Sequence, residues 1–195
     1  MQKILSQFSN IVSGYTFRGA VKSQQNGDIY VLQAKNIIIN EDITSISEFT
    51  RIDSKSLRNP YFLEYNDVLI VSRGSGPGSF RSTIFASNDD NVIASSSVYV
   101  IRIKDITVLP KYISLFLNSQ EGQSAILRIV TGGSYIQTLL RRNLEDFKIT
   151  IPPIHIQKSI VALSENIKQQ EKILSRKKEI KQIIINSTFT NLTNK

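Results

Sequence analysis

Two short stretches of this chain combine residue types that hold phosphates and read base edges. In the first, Ser72, Arg73, Gly74, Ser75 and Arg81 follow a strongly apolar run and are interleaved with Gly76, Gly78, Ser79 and Ser82. Glycines let the backbone approach a ligand closely, and serine hydroxyls and main-chain N–H groups suit phosphate oxygens. Arginine either clamps a phosphate or meets guanine O6 and N7 with two hydrogen bonds. In the second stretch, Gly132, Gly133, Ser134, Tyr135, Ile136 and Gln137 precede Arg141 and Arg142. Glutamine suits the major-groove edge of adenine, and adjacent arginines can bracket phosphates. Each stretch reads equally well without a ligand, the first as a surface loop and the second as a linker with solvated arginines.

Residues suited to catalysis are sparse. His155 is the only histidine and cysteine is absent, so disulfides and thiolate metal sites are excluded, and one histidine without clustered carboxylates makes no zinc site. No G-x-S-x-G motif surrounds a nucleophile. The segment from Arg73 to Gly78 has glycines but lacks the Gly-Lys-Ser/Thr of a P-loop. Asn59-Pro60-Tyr61 is similar to the Asn-Pro-Pro-Tyr signature of adenine methyltransferases, but it lacks the second proline and no Gly-rich strand–turn–helix for a methyl donor accompanies it. Glu41-Asp42 and Asp89-Asp90 read as solvated turns, since an oxygen cage for a cation needs more ligands. The chain is expected to have no catalytic residues, no metal and no cofactor of its own.

The elements that must position these residues are mixed. Residues 28–34 (DIYVLQA), 67–73 (DVLIVSR) and 92–103 (VIASSSVYVIRI) read as strands. After Pro110 the period becomes helical, with Tyr112, Ile113, Phe116 and Leu117 on one face. A second short helix over 121–130 ends at Gly132-Gly133, and a last strand over 147–151 runs into Pro152-Pro153. From Ile156 to Ile185 there is neither Gly nor Pro. Ile156, Ile160, Leu163, Ile167 and Leu174 follow a coiled-coil seam, which drifts to Ile180 and Ile184 as a stutter would make it do. A seam this long predicts a partner helix.

The pattern predicts a mixed α/β (α+β) fold, a β-rich globular head followed by one long C-terminal coiled-coil-type helix. The expected divisions are residues 1–153, 154–186 and a frayed tail at 187–195. The net charge is +8. Residues 1–155 carry 16 Lys/Arg against 13 Asp/Glu, and residues 156–186 carry 7 against 3. A basic balance favours polyanions through counterion release, and a solvated lysine-rich helix face accounts for it equally well. No signal-peptide or membrane-helix run occurs, so a soluble cytoplasmic protein is expected.

The order of these pieces resembles the specificity subunits of type I restriction–modification systems. The matching segments are Gly14-Tyr15-Thr16-Phe17-Arg18-Gly19, residues 28–37, residues 65–74, Pro110-Lys111-Tyr112-Ile113, Gly132-Gly133-Ser134, and residues 151–157 (IPPIHIQ). The resemblance implies a target recognition domain over 1–153 that binds double-stranded DNA, followed by a spacer helix. It also implies partners: a methyltransferase (modification) subunit that binds S-adenosylmethionine, and a restriction subunit. For such a role the residues expected to contact DNA are Ser72, Arg73, Gly74, Ser75, Arg81, Ser134, Gln137, Arg141 and Arg142, with Arg18 and Lys22 on phosphates. Family members usually carry two recognition domains and two helices, whereas one of each is present here. A homodimer through the helix is therefore expected, or pairing with another half. The alternative function is a non-catalytic adaptor or recognition module of another DNA-modification or phage-defence system.

Overall fold

The computed structural model describes residues 1–133 and 135–193, and its centre is the strand that the sequence marks most strongly. The chain opens with β1 (Gln2–Ile4), the one-turn helix α1 (Leu5–Phe8) and β2 (Ser9–Ser13). Then come β3 (Ile29–Leu32), β4 (Thr50–Ile52), β5 (Val68–Val71), β6 (Arg73–Gly74), β7 (Ser82–Ile84), β8 (Val92–Ala94) and β9 (Val98–Ile103). Helices α2 (Pro110–Asn118) and α3 (Gln120–Leu127) follow, then β10 (Thr131–Gly132), β11 (Gln137–Thr138), α4 (Arg141–Glu145) and β12 (Lys148–Thr150). The chain then enters α5 (Ile154–Thr193).

Among the described residues the strands form four small sheets, ordered β2-β9-β5-β7, β4-β3-β8, β10-β11-β6 and β1-β12. Every pairing is antiparallel except β3 with β8. All four residues of β5 are buried. Helix α2 packs on β5 and β7, and Leu69 and Val71 enter a core with Leu32, Phe85, Val92 and Val100. A strand covered on both faces needs a continuous apolar run rather than alternation, which is why Val68-Leu69-Ile70-Val71 has no polar member. Helix α2 starts at Pro110, whose fixed φ suits a first helical position.

The segment expected as one strand over 92–103 is two. Strand β8 joins β3, and after a turn at 95–97 the chain starts β9 between β2 and β5. Ser95 and Ser97 share a hydroxyl hydrogen bond of 2.8 Å, and Val98 N–H donates to Ser95 O at 2.9 Å. Serine hydroxyls compete with ladder bonds, so three in succession break the strand.

Two polar residues from the family-like segments are structural. Asp67, only 1% exposed, accepts two hydrogen bonds from Arg102, Nε to Oδ1 and Nη2 to Oδ2, both at 2.8 Å. Its Oδ2 also accepts Glu64 N–H at 2.8 Å. Arg102 bonds Glu64 and the Phe62 carbonyl, and lies over the Tyr61 ring at 4.7 Å. Gln157, fully buried, accepts Leu109 N–H at 2.9 Å and donates to Thr107 O at 2.9 Å and Pro152 O at 2.8 Å. It thus ties the first turn of α5 to the entry of α2.

The chain divides into the compact units Met1–Lys158 and Ser159–Lys195. The second consists of α5 beyond its first turn. Its helix continues past residue 186, where the sequence suggests a fraying tail. The hydroxyls of Ser187 and Thr188 donate to Ile184 O, and that of Thr190 to Asn186 O, so these polar residues turn back onto the helix. The seam residues Ile156, Ile160, Leu163, Ile167, Leu174, Ile180 and Ile184 are all exposed. No helix among the described residues is long and apolar enough to cross a membrane.

Candidate nucleic-acid interface

The apolar run of β5 ends at Ser72, and that residue is fixed on three sides. Its N–H donates to Ser97 O at 2.8 Å, its hydroxyl donates to Ser96 O at 3.3 Å, and its carbonyl accepts Leu139 N–H at 2.9 Å. Ser72 is therefore buried and serves as the root of the loop beyond it. The next residue, Arg73, is exposed and lies opposite Thr138, while Gly74 lies opposite Gln137. Strand β6 thereby joins the β10–β11 hairpin in one three-stranded sheet. The two glycine-rich stretches, read separately in the sequence, become neighbouring strands.

Glycine is required at position 74. A Cβ there would lie 2.1 Å from the Ser79 Cβ, inside any real contact. Gly76 and Gly78 hold φ of +98° and +77°, which L-residues rarely adopt. Ser75 N–H donates to Ser79 Oγ at 3.1 Å, so the loop is closed by its own bonds.

Cations gather around this sheet. The Tyr99 hydroxyl donates to Leu139 O at 2.9 Å. Burial pushes its pKa up, against the opposing effect of nearby Arg73 and Arg141. Arg141 Nε is paired with Glu145 at 2.7 Å within α4. Arg142, the next residue, is exposed and has no carboxylate partner among the described residues. The Gln137 side-chain oxygen is buried and has no hydrogen-bond donor among the described residues, a condition that buried polar atoms seldom meet without a ligand or water.

Other candidate residues lie elsewhere. The Arg81 guanidinium donates to the carbonyls of Ile37 at 2.9 Å and Ala34 at 3.2 Å, so it braces the chain after β3. Ser134 lies outside the described residues. Arg18 and Lys22 are exposed on the connection between β2 and β3, where they line a concave pocket of about 680 Å3. Gly14 leads into that connection, and a Cβ there would lie 2.1 Å from Ser95 O. Tyr15 N–H donates to Ala94 O at 2.7 Å and Ser96 N–H to Tyr15 O at 2.8 Å. The turn at 95–97 therefore holds both the root of the Arg73 loop and the start of the Arg18 segment.

Two exposed apolar residues at the β10–β11 tip, Tyr135 at 90% exposure and Ile136, belong to this surface although the sequence offers no sign of their role. Their only sequence signal is position, next to Gln137 and between glycines and arginines. His155 is exposed in the first turn of α5. No group of three or more His, Cys, Asp or Glu that could hold a metal occurs among the described residues. The arrangement is a cationic, hydrogen-bonding surface built on short strands, and its chemistry is that of binding an anion with a patterned edge.

The profile of the type I restriction modification DNA specificity domain matches residues 2–193. A search of curated proteins by sequence gives no significant match. The fold is similar to that of the HsdS subunit from Thermoanaerobacter tengcongensis, with a TM-score of 0.61 and 17% identity, over 90% of this chain and 39% of that one. It is similar to the type I restriction-modification system S subunit from M. genitalium, with a TM-score of 0.55 and 15% identity, over 90% of this chain and 41% of that one. A chain from a study of complex assembly and conformational transition in a type I R-M system gives a TM-score of 0.63 at 17% identity, over 90% and 40%. The chain thus spans about two-fifths of the length of these relatives. With the profile covering nearly all of it, the chain belongs to the family of type I restriction–modification DNA specificity domains.

Proposed function

We propose that this chain reads a DNA sequence and directs a separate methyltransferase subunit, and with it a restriction subunit, to that sequence, without chemistry of its own. The observation that carries the reading is the placement of Arg73 and Gln137 on adjacent strands of one sheet. Arginine and glutamine are the side chains best matched to guanine and adenine edges, and Arg141 and Arg142 beside them suit the flanking phosphates. Ser72, Gly74 and Ser75 shape the loop that presents Arg73. S-adenosylmethionine belongs to the modification subunit in this scheme.

The working unit is a pair of helices. Helix α5 is about 60 Å long at 1.5 Å per residue over its 40 residues. Its apolar seam from Ile156 to Ile184 is exposed along its length. Antiparallel pairing with a second copy buries that seam and sets two recognition domains apart, so that the pair reads two inverted half-sites across a spacer.

Selection from random duplex DNA, with the modification partner present, tests the proposal. The expected outcome is a bipartite motif bound far more tightly than bulk DNA at fixed salt. Recovery of unrelated sequences, with equal affinity for all of them, would sink the reading.

A further inference from the structure

The pocket that holds Arg18 and Lys22 has a third cation, Arg58, and no acidic residue in its lining. Lys3, Arg102, Lys111 and Arg141 are paired with Asp105, Asp67, Asp42 and Glu145. The side chains of Arg18, Lys22 and Arg58 form no ion pair among the described residues, and all three are exposed. The acids closest along the chain are turned to main-chain groups. Asp28 accepts Ser54 N–H at 2.7 Å, and Asp53 accepts Lys55 N–H at 2.9 Å. Three like charges that line one pocket with no acid among its lining residues favour an anion there.

The pocket is built rather than incidental. Tyr15 and Phe17 are packed ring to ring, with centroids 5.0 Å apart at 57°. Both rest on a second core of Ile29, Val31, Ile52 and Ile93. The Tyr15 hydroxyl accepts Arg58 N–H at 3.2 Å, which fixes the main chain of Arg58 opposite the segment bearing Arg18 and Lys22. Two segments distant in sequence thus form facing walls, with aromatic and apolar groups between them.

We propose that this pocket is a phosphate clamp for the DNA backbone, with Arg18, Lys22 and Arg58 as its cations and Tyr15 as the positioning residue for Arg58. The proposal rests on the DNA-reading function and adds a backbone anchor apart from the base-reading sheet. The clamp contributes affinity without sequence preference, since phosphates carry no base identity.

Fluorescence anisotropy with labelled duplexes over a salt series tests it, using the whole chain, one random-sequence duplex and one selected duplex. Arg58→Ala, and separately Arg18→Ala with Lys22→Ala, should weaken both duplexes by the same factor. The slope of log affinity against log salt should fall by about one per cation removed. Arg58→Lys should keep most of the slope, which separates charge from packing. Wild-type affinity and slope in both variants would overturn the clamp while leaving DNA reading intact. A wild-type chain that binds no duplex even at low salt would overturn DNA reading and the clamp together.

Discussion

Gly74 lies directly opposite Gln137 in the β6–β11 ladder, and this pairing unites two stretches of chain that are far apart in sequence. Because Arg73 and Thr138 are the adjoining pair, the arginine and the glutamine are held at a fixed offset by main-chain hydrogen bonds. Arg73→Ala and Gln137→Ala should therefore each relax selectivity at one position of the selected motif, at a cost of about 1–3 kcal/mol in discrimination. Affinity for random duplex should change less. The check is anisotropy against a panel of single-position variants of the motif. Uniform loss on every duplex would show that these side chains hold phosphates instead.

Arg81→Ala should behave differently, because its guanidinium bonds the carbonyls of Ala34 and Ile37. The expected effect is a lower melting temperature with the selected motif unchanged, read by thermal denaturation and by repeat selection.

Buried Asp67 and half-buried Arg102 form an ion pair beside the central sheet. Asp67→Ala leaves Arg102 with Phe62 O and Glu64 and removes its two bonds to a buried carboxylate, a loss of about 1.5–3 kcal/mol. The cation itself is stabilised by this carboxylate, whose hydrogen bonds raise the Arg102 pKa above its ordinary value. Urea denaturation followed by circular dichroism measures the loss. A shift below a few tenths of a kcal/mol would contradict the structural role.

Asp105 provides a pH signature. Its carboxylate accepts bonds from the Thr107 hydroxyl at 2.6 Å and main chain at 2.9 Å, and from Lys3 at 2.9 Å. The Thr107 hydroxyl foremost, then Lys3, lowers its pKa from 3.8 to about 2. A folded pKa below the unfolded one means that this contribution is present above the unfolded value and is lost as pH falls through the folded value. The stability difference between wild type and Asp105→Asn should thus be constant above pH 5 and shrink between pH about 4 and about 2. Denaturant midpoints across that range decide it, and a difference independent of pH would refute it.

Leu163→Asp with Ile167→Asp should separate paired helices into single chains. Light scattering reads the mass directly. A wild-type protein that stays monomeric at high concentration would remove the two-helix arrangement, and an undiminished dimer in the variant would place the interface elsewhere.

Much of this architecture is visible in the sequence because apolar pattern alone encodes it. The run Val68-Leu69-Ile70-Val71, the helical face after Pro110 and the long seam of α5 each have a period that one conformation satisfies. Strands β1, β2, β4, β10 and β11 lack that signal. They are two to five residues long, with polar members such as Gln2, Asn10 and Gln137, and their partners are chosen by long-range register. The same limit applies to the interface. Residue types and their glycine-rich neighbours singled out Arg73 and Gln137, whereas Arg58 follows an undistinguished Ser-Lys-Ser-Leu stretch. Only the fold brings it to Tyr15. Arg81 looks like its neighbour Arg73 in sequence and differs because carbonyls lie within its reach.

Strand β1 pairs antiparallel with β12, Gln2 opposite Thr150, and the Met1 amino group donates to Ile151 O at 3.1 Å. The chain therefore enters and leaves the head at one doorway, closed by a short ladder. A module with adjoining ends can be exchanged for another of different preference without moving what it is spliced to. Under the proposed DNA-reading role, exchange of the whole head would change the preferred sequence while leaving the helix that follows it unaltered.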